Sequence, residues 1–209
     1  MQTVPACKTL AAIVPRQMTD KQKDRIKDKI KKVKSALTAE KRKYGAFDDS
    51  RGLRYLPTEW SIRIGDYDGG LKYLKWFNKN FPDDMGFPEF LFESTIIFFK
   101  TGQLKEAEDF AMRTYFSNTF LFDTYFKRKL EHADKKVSAS FQQADYVQNL
   151  IYSHDQDAFL EFSDWLSKFI QSDRFVKTKS EFDDIEKQLE TEPVGQRRSL
   201  LVKRLYKLK

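Results

Sequence analysis

The stretch GDYDGGLKYLKWFNKNFPDD, Gly65 to Asp84, reads as a turn, then an amphipathic helix, then a stop at Pro82. A second stretch, GQLKEAEDFAMRTYFSN, Gly102 to Asn118, repeats the phrase 37 residues later. Aligned on their glycines, Gly70 falls opposite Ala107, Tyr73 opposite Phe110 and Leu74 opposite Ala111. A helical segment precedes each turn: RGLRYLPTEWSIRI (51–64) in one case, PEFLFESTIIFFKT (88–101) in the other. Each unit is therefore helix, glycine turn, helix. Glycine supplies a turn conformation that a side chain resists, and the small residue five positions on lets the two helices approach closely.

The rest of the chain agrees with helices. Of 209 residues, 40% are hydrophobic and 19 are Phe, which is too apolar for a disordered chain. Only 8 Gly and 6 Pro are present, too few for the tight turns of a sandwich or barrel. Cys7 is the single cysteine. It excludes an internal disulfide framework and a cysteine-based zinc site, and suits a reducing compartment. No apolar run is long enough to span a bilayer, and Lys8 interrupts the short apolar start. The expectation is a cytoplasmic protein with a poorly ordered stretch over 1–18.

Charge is segregated. Residues 1–44 carry +9, residues 45–193 carry −8 and residues 194–209 carry +6, for a net +7. Thr19 and Gln22 form a capping box at the start of a basic helix over 19–45, which Gly45 ends. Ile26, Ile30, Val33 and Leu37 make one apolar stripe on it. The stripe is expected to dock on the acidic body at 50–171. Within and beyond that body, helices are predicted at 51–63, 68–80, 87–100, 104–117, 120–132, 138–152, 156–171, 179–190 and 196–207. The span 172–209 forms C-terminal helices, the last of them basic.

The repeated unit resembles the tetratricopeptide repeat, a helix-turn-helix of about 34 residues. Gly65, Gly70, Leu74 and Pro82 match the family's turn glycine, small residue, large apolar residue and terminal proline. Gly102 and Ala107 match in the second unit, where Ala111 replaces an aromatic and Thr119 the proline. A degenerate third unit is expected over Ser138–Ile170, with Ser153, Ala158 and Phe162 in the glycine, small and aromatic places. Pro57 departs from the family's Leu. The resemblance implies an all-α fold: a short right-handed α-α superhelix of helical hairpins, flanked by the basic N-terminal and C-terminal helices. It also implies that inner-face positions of each first helix line a groove. These are Tyr55, Glu59, Ile62 and Arg63 in unit one, and Phe92, Ile96, Phe99 and Lys100 in unit two. Arg63 and Lys100 are equivalent, so two cations face one groove and suit an acidic segment.

Signals for chemistry are weak. His132 and His154 show no metal-ligand spacing and read as solvated. The pairs Asp48-Asp49, Asp83-Asp84 and Asp183-Asp184 read as helix-start or solvated carboxylates. Phosphate loops and nucleophile elbows are missing from the sequence. The aromatic clusters around Phe90, Phe92 and Phe98 and around Phe122 and Tyr125 read as core. The expectation is a non-catalytic adaptor or scaffold, with no cofactor and no metal. It binds a protein or peptide segment through Tyr55, Arg63, Phe99 and Lys100. The alternative partner is nucleic acid, held by Lys27, Lys31, Lys34, Arg197, Arg198 and Arg204 on the basic terminal helices. A membrane partner is disfavoured, homo-oligomers stay open, and an enzyme with scattered catalytic residues is the least favoured class.

Overall fold

Local chemistry sets most helix ends. A computed structural model describes residues 18–47, 52–130 and 140–208; Cys7, His132, Asp48-Asp49 and most of 1–18 lie outside them. Among the described residues the fold is all-α, with nine α-helices and no strand. The first, α1 (Asp20–Tyr44), opens on the reciprocal Thr19–Gln22 capping box and closes on Gly45 at φ 73°. Its stripe meets the body unevenly. Leu37 is fully buried and Ile30 packs on the core, while Ile26 and Val33 are half-buried. Lys29 and Lys34 lie over the rings of Trp60 and Trp76.

Two antiparallel hairpins follow: α2 (Leu56–Arg63) with α3 (Tyr67–Asn80), and α4 (Pro88–Lys100) with α5 (Leu104–Ser117). Their turns have the same hydrogen bonds. Gly65 N–H donates to the Ile62 carbonyl and Asp66 N–H to that of Ser61; Gly102 N–H donates to Phe99 and Gln103 N–H to Phe98. Both glycines sit at positive φ, 71° and 74°. Gly70 is buried at the crossing: a β-carbon there would lie 2.9 Å from Ile97 Cδ1 and 3.2 Å from Ser61 Cβ.

Helix α4 sits at the centre. It touches α2, α3 and α5 and also α7 (Leu160–Phe169), and its residues from Phe90 to Phe98 are all buried. Small residues and back-bonded hydroxyls allow that enclosure. Ser94 and Thr95 donate to the carbonyls of Phe90 and Leu91, Thr114 on α5 donates to Phe110, and Ala107 and Ala111 carry no bulk. A continuous apolar core runs from Ile62 to Phe182, so the C-terminal helices are not a separate layer. On α8 (Asp173–Thr191), Phe175 and Phe182 pack on Tyr115, and Phe182 also stacks on Phe116. Helix α9 (Gln196–Leu208) docks on α8.

Between α5 and α7 the chain differs from the predicted helices. Of the segments expected as 120–132 and 138–152, the described residues 120–130 hold only α6 (Leu121–Tyr125), and 140–152 holds short 3-10 turns instead of an α-helix. The reason is side-chain capture of backbone. Buried Asn118 ends α5, and its amide donates to the carbonyls of Phe141 and Gln143 at 2.7 and 3.1 Å. A left-handed turn with the bonding pattern of Gly65 and Gly102 recurs at Lys127 (φ 54°), and Ser153 does not adopt it. Ala158 is exposed and marks no helix crossing.

Two outcomes test this packing. Ile97→Val costs about 1 kcal/mol in the parent but is neutral or stabilising in a Gly70→Ala background, because it removes the methyl that the new β-carbon strikes. Additive melting data for the two changes contradict the crossing. In α1, Leu37→Ala costs about 2–5 kcal/mol, as truncation of a fully buried aliphatic does; an unchanged melting temperature means that the helix is undocked.

Candidate functional site

A cleft of about 800 Å3 opens between α2 and the segment 151–159. Glu59, Ile62 and Arg63 form the α2 wall, and Ile151, Tyr152, Asp157 and Phe159 the other. Ile151 stands 62% exposed at its mouth. Asp155, also at the rim, is held down to about 2 by hydrogen bonds from Lys127 and Ser153. The lysine ammonium lies 2.6 Å away.

Behind Tyr152 lies a buried carboxyl group. Glu93 projects from the enclosed helix α4 and is 6% exposed. The Tyr152 hydroxyl donates to its Oε1 at 2.8 Å, and Thr58 Oγ1 lies 2.5 Å from its Oε2. Thr58 Oγ1 is also 2.8 Å from the Tyr55 carbonyl oxygen. One hydroxyl proton cannot serve both acceptors. A protonated Glu93 removes the conflict: its O–H donates to Thr58, and Thr58 donates to Tyr55. Electrostatics agree. Desolvation pushes the Glu93 carboxyl up to about 8 and Glu59 and Glu89 push the same way, against the hydrogen bonds that Thr58 and Tyr152 would give its ionised form. This neutral acid ties α2, α4 and the cleft wall together.

The sequence-derived groove residues separate into different surroundings. Arg63 is exposed and lines the cleft. Phe99 packs on Phe162 and Trp165 of α7, at ring distances of 5.5 and 5.0 Å. Lys100 Nζ lies 3.8 Å from Glu161 of the same helix. Tyr55 faces elsewhere: its hydroxyl donates to Asp84, which also pairs with Arg54 at 2.8 Å. Phe92 and Ile96 are fully buried. Helix α7 thus packs on the unit-two positions, while of the unit-one positions Ile62 is buried, Tyr55 and Glu59 are half-buried and Arg63 alone is exposed.

The basic residues proposed for polyanions also separate. Lys27 is exposed, Lys31 lies 3.7 Å from Asp28, and Lys34 lies over Trp76. Arg198 donates to the carbonyls of Leu189 and Glu192 at the end of α8, Arg197 pairs with Glu192 and Arg204 with Glu181. His154 is half-buried beside Phe126, with its backbone N–H on the Tyr125 carbonyl. Among the described residues no group of three His, Cys, Asp or Glu side chains could hold a metal ion, and no helix is long and apolar enough to cross a membrane. Sequence reading missed Glu93, although a signal existed: it is the single carboxylate in FLFESTIIFF, Phe90 to Phe99, a run with apolar residues on every helical face.

Comparison of the chain with protein families, with curated proteins and with solved structures finds no match. The site is therefore read from its own geometry.

The sign of the Glu93 effect follows from its raised value. In the unfolded chain the carboxyl ionises near 4.5, in the folded protein near 8. Its contribution is full below pH 4.5 and lost as pH rises to 8, at about 1.4 kcal/mol per pH unit, then flat. Glu93→Gln keeps both hydrogen-bonding positions and has no proton to lose. The stability of the variant relative to the parent, read from urea midpoints, is expected to rise between pH 5 and pH 8. A difference independent of pH contradicts a neutral Glu93.

Proposed function

We propose that the chain is a non-catalytic interaction module, with α2–α3 and α4–α5 as two degenerate tetratricopeptide-like hairpins of a short superhelix. The single observation that carries the reading is the cleft beside α2, with Arg63 exposed on one wall and Ile151 on the other. Glu59, Ile62 and Arg63 stand where Ile96, Phe99 and Lys100 stand on α4; α7 packs on the α4 set, whereas on α2 Ile62 is buried in the core and Arg63 stands exposed at the cleft. An apolar, partly charged cleft beside an ordered wall suits a peptide segment of a partner protein. The buried Glu93 supports a structural role over a catalytic one: Thr58 and Tyr152 occupy its oxygens, and the Tyr152 ring stands between it and the cleft. A reducing compartment such as the cytoplasm remains the setting that suits this reading. The polyanion alternative keeps Lys27 and Lys31 but weakens at the C-terminal arginines, whose partners lie on α8.

The test is a comparative pull-down with the parent and an Arg63→Glu/Ile151→Asp double variant. Both positions are exposed, so the variant is expected to melt within about 1 kcal/mol of the parent. The expected outcome is loss of a captured protein that persists with the parent in high salt. Equal recovery by both proteins contradicts the cleft. Capture that disappears with salt for parent and variant alike favours nucleic acid on the basic helices.

A further inference from the structure

The basic helix α1 docks through aromatic rings, and its charges are left unanswered. Residues 45–193 carry −8 in sum, yet the solvent face of α3 is basic. Lys72, Lys75 and Lys79 are all exposed there and recur at the period of one helical face. Helix α1 sets a second row beside them. Lys34 lies 5.5 Å from the centre of the Trp76 ring on α3, and Lys72 and Lys79 stand one turn to either side of that tryptophan. Lys41 lies 4.8 Å from the Phe47 ring, which packs at 4.3 Å on Phe81 just past the end of α3. These contacts run in the same order along both helices, so α1 and α3 lie side by side. Lys27 and Lys31 continue the α1 row on the flank of Lys34. Among the described residues Lys27, Lys34, Lys72, Lys75 and Lys79 make no ion pair, and Lys31 has only a 3.7 Å contact with Asp28 of its own helix. The carboxylates beside the rows, Asp24 and Asp28 on α1 and Asp68 on α3, are fewer than the lysines, so like charges are gathered here.

We infer that the α1–α3 surface binds the phosphate backbone of a nucleic-acid duplex without reading its sequence. This surface is separate from the cleft and does not depend on it. Lysine meets a phosphate as a point charge and neutralises it with release of a counterion, which requires no base contact. Two rows offer cations to both strands of a duplex. A single strand asks instead for free rings on which its bases stack, and Trp76, between the rows, is half-buried beneath Lys34. A lipid surface is disfavoured by the apolar count. A helix lying on a bilayer needs exposed apolar side chains to insert; α3 has none of large size, and α1 has only Tyr44 at its last position. The C-terminal arginines contribute less, because Arg198 and Arg204 are engaged by α8, whereas the α3 lysines have no such partner.

The probe is a fluorescently labelled DNA duplex of about 20 base pairs, with an RNA duplex of the same length as a second arm, titrated with the full-length chain across a salt series. Saturable binding is expected, within about threefold for two unrelated sequences, with log K falling linearly against log salt. Lys72→Gln/Lys79→Gln on α3 and Lys27→Gln/Lys31→Gln on α1 are each expected to weaken DNA binding about tenfold and to flatten the slope by about 1.8, the value for two phosphate contacts. Lys203→Gln/Lys207→Gln removes the same charge from exposed positions of α9 and is expected to leave the slope unchanged. All six positions are exposed, so melting temperatures are expected to stay at the parent value. Binding of either duplex with these properties supports the inference, and the tighter one names the source. No binding of either duplex in low salt overturns it. So does a slope that the α9 change flattens as much as the α3 change, because the duplex then senses only net charge. Tighter binding to a single strand of the same length, or to vesicles of equal parts phosphatidylcholine and phosphatidylserine, overturns the duplex as occupant.

Discussion

Enclosure of α4 on every side is the constraint on which the other helices depend. A helix that is apolar all round must find neighbours for all its faces, and α2, α3, α5 and α7 supply them. The enclosure also traps Glu93, which is too costly to bury charged and is satisfied only with its proton in place. That proton closes the chain of hydrogen bonds from the tip of α2 through α4 to Tyr152. The same residue that would weaken an ordinary core helix here fixes the register of three elements.

The open cleft is a consequence of this arrangement. Tyr152 is drawn down to Glu93, so the segment 151–159 crosses in front of α2 without lying on it, and α7 then falls on α4. Arg63 and Ile151 stand exposed on the two sides of the cleft.

Much of this was legible in the residues. The Thr19–Gln22 cap, the Gly45 stop and the shared turns at Gly65 and Gly102 are local chemistry, and local chemistry survives folding. The region 120–152 was not legible, because its backbone is fixed by distant groups. Asn118 binds the carbonyls of 141 and 143, and Lys127 adopts a left-handed turn that no propensity signals. The start of α8 was missed although Ser172-Asp173 spells a cap, and Ser172 does accept from the Phe175 N–H. At the site, Arg63 was identified but its surroundings were not. The covering of Phe99 and Lys100 by α7 depends on a tertiary contact across some sixty residues of sequence, beyond any reading of helical period.

Native-state hydrogen exchange, resolved by segment, tests the central claim that α7 is a fixed part of the enclosure of α4. Amides of α7 and α4 are expected to exchange together and slowest, through global unfolding, with 151–159 exchanging well before them. If α7 exchanges as fast as 151–159 while α4 remains protected, α7 is not a fixed part of the body, and the enclosure of α4 does not depend on it.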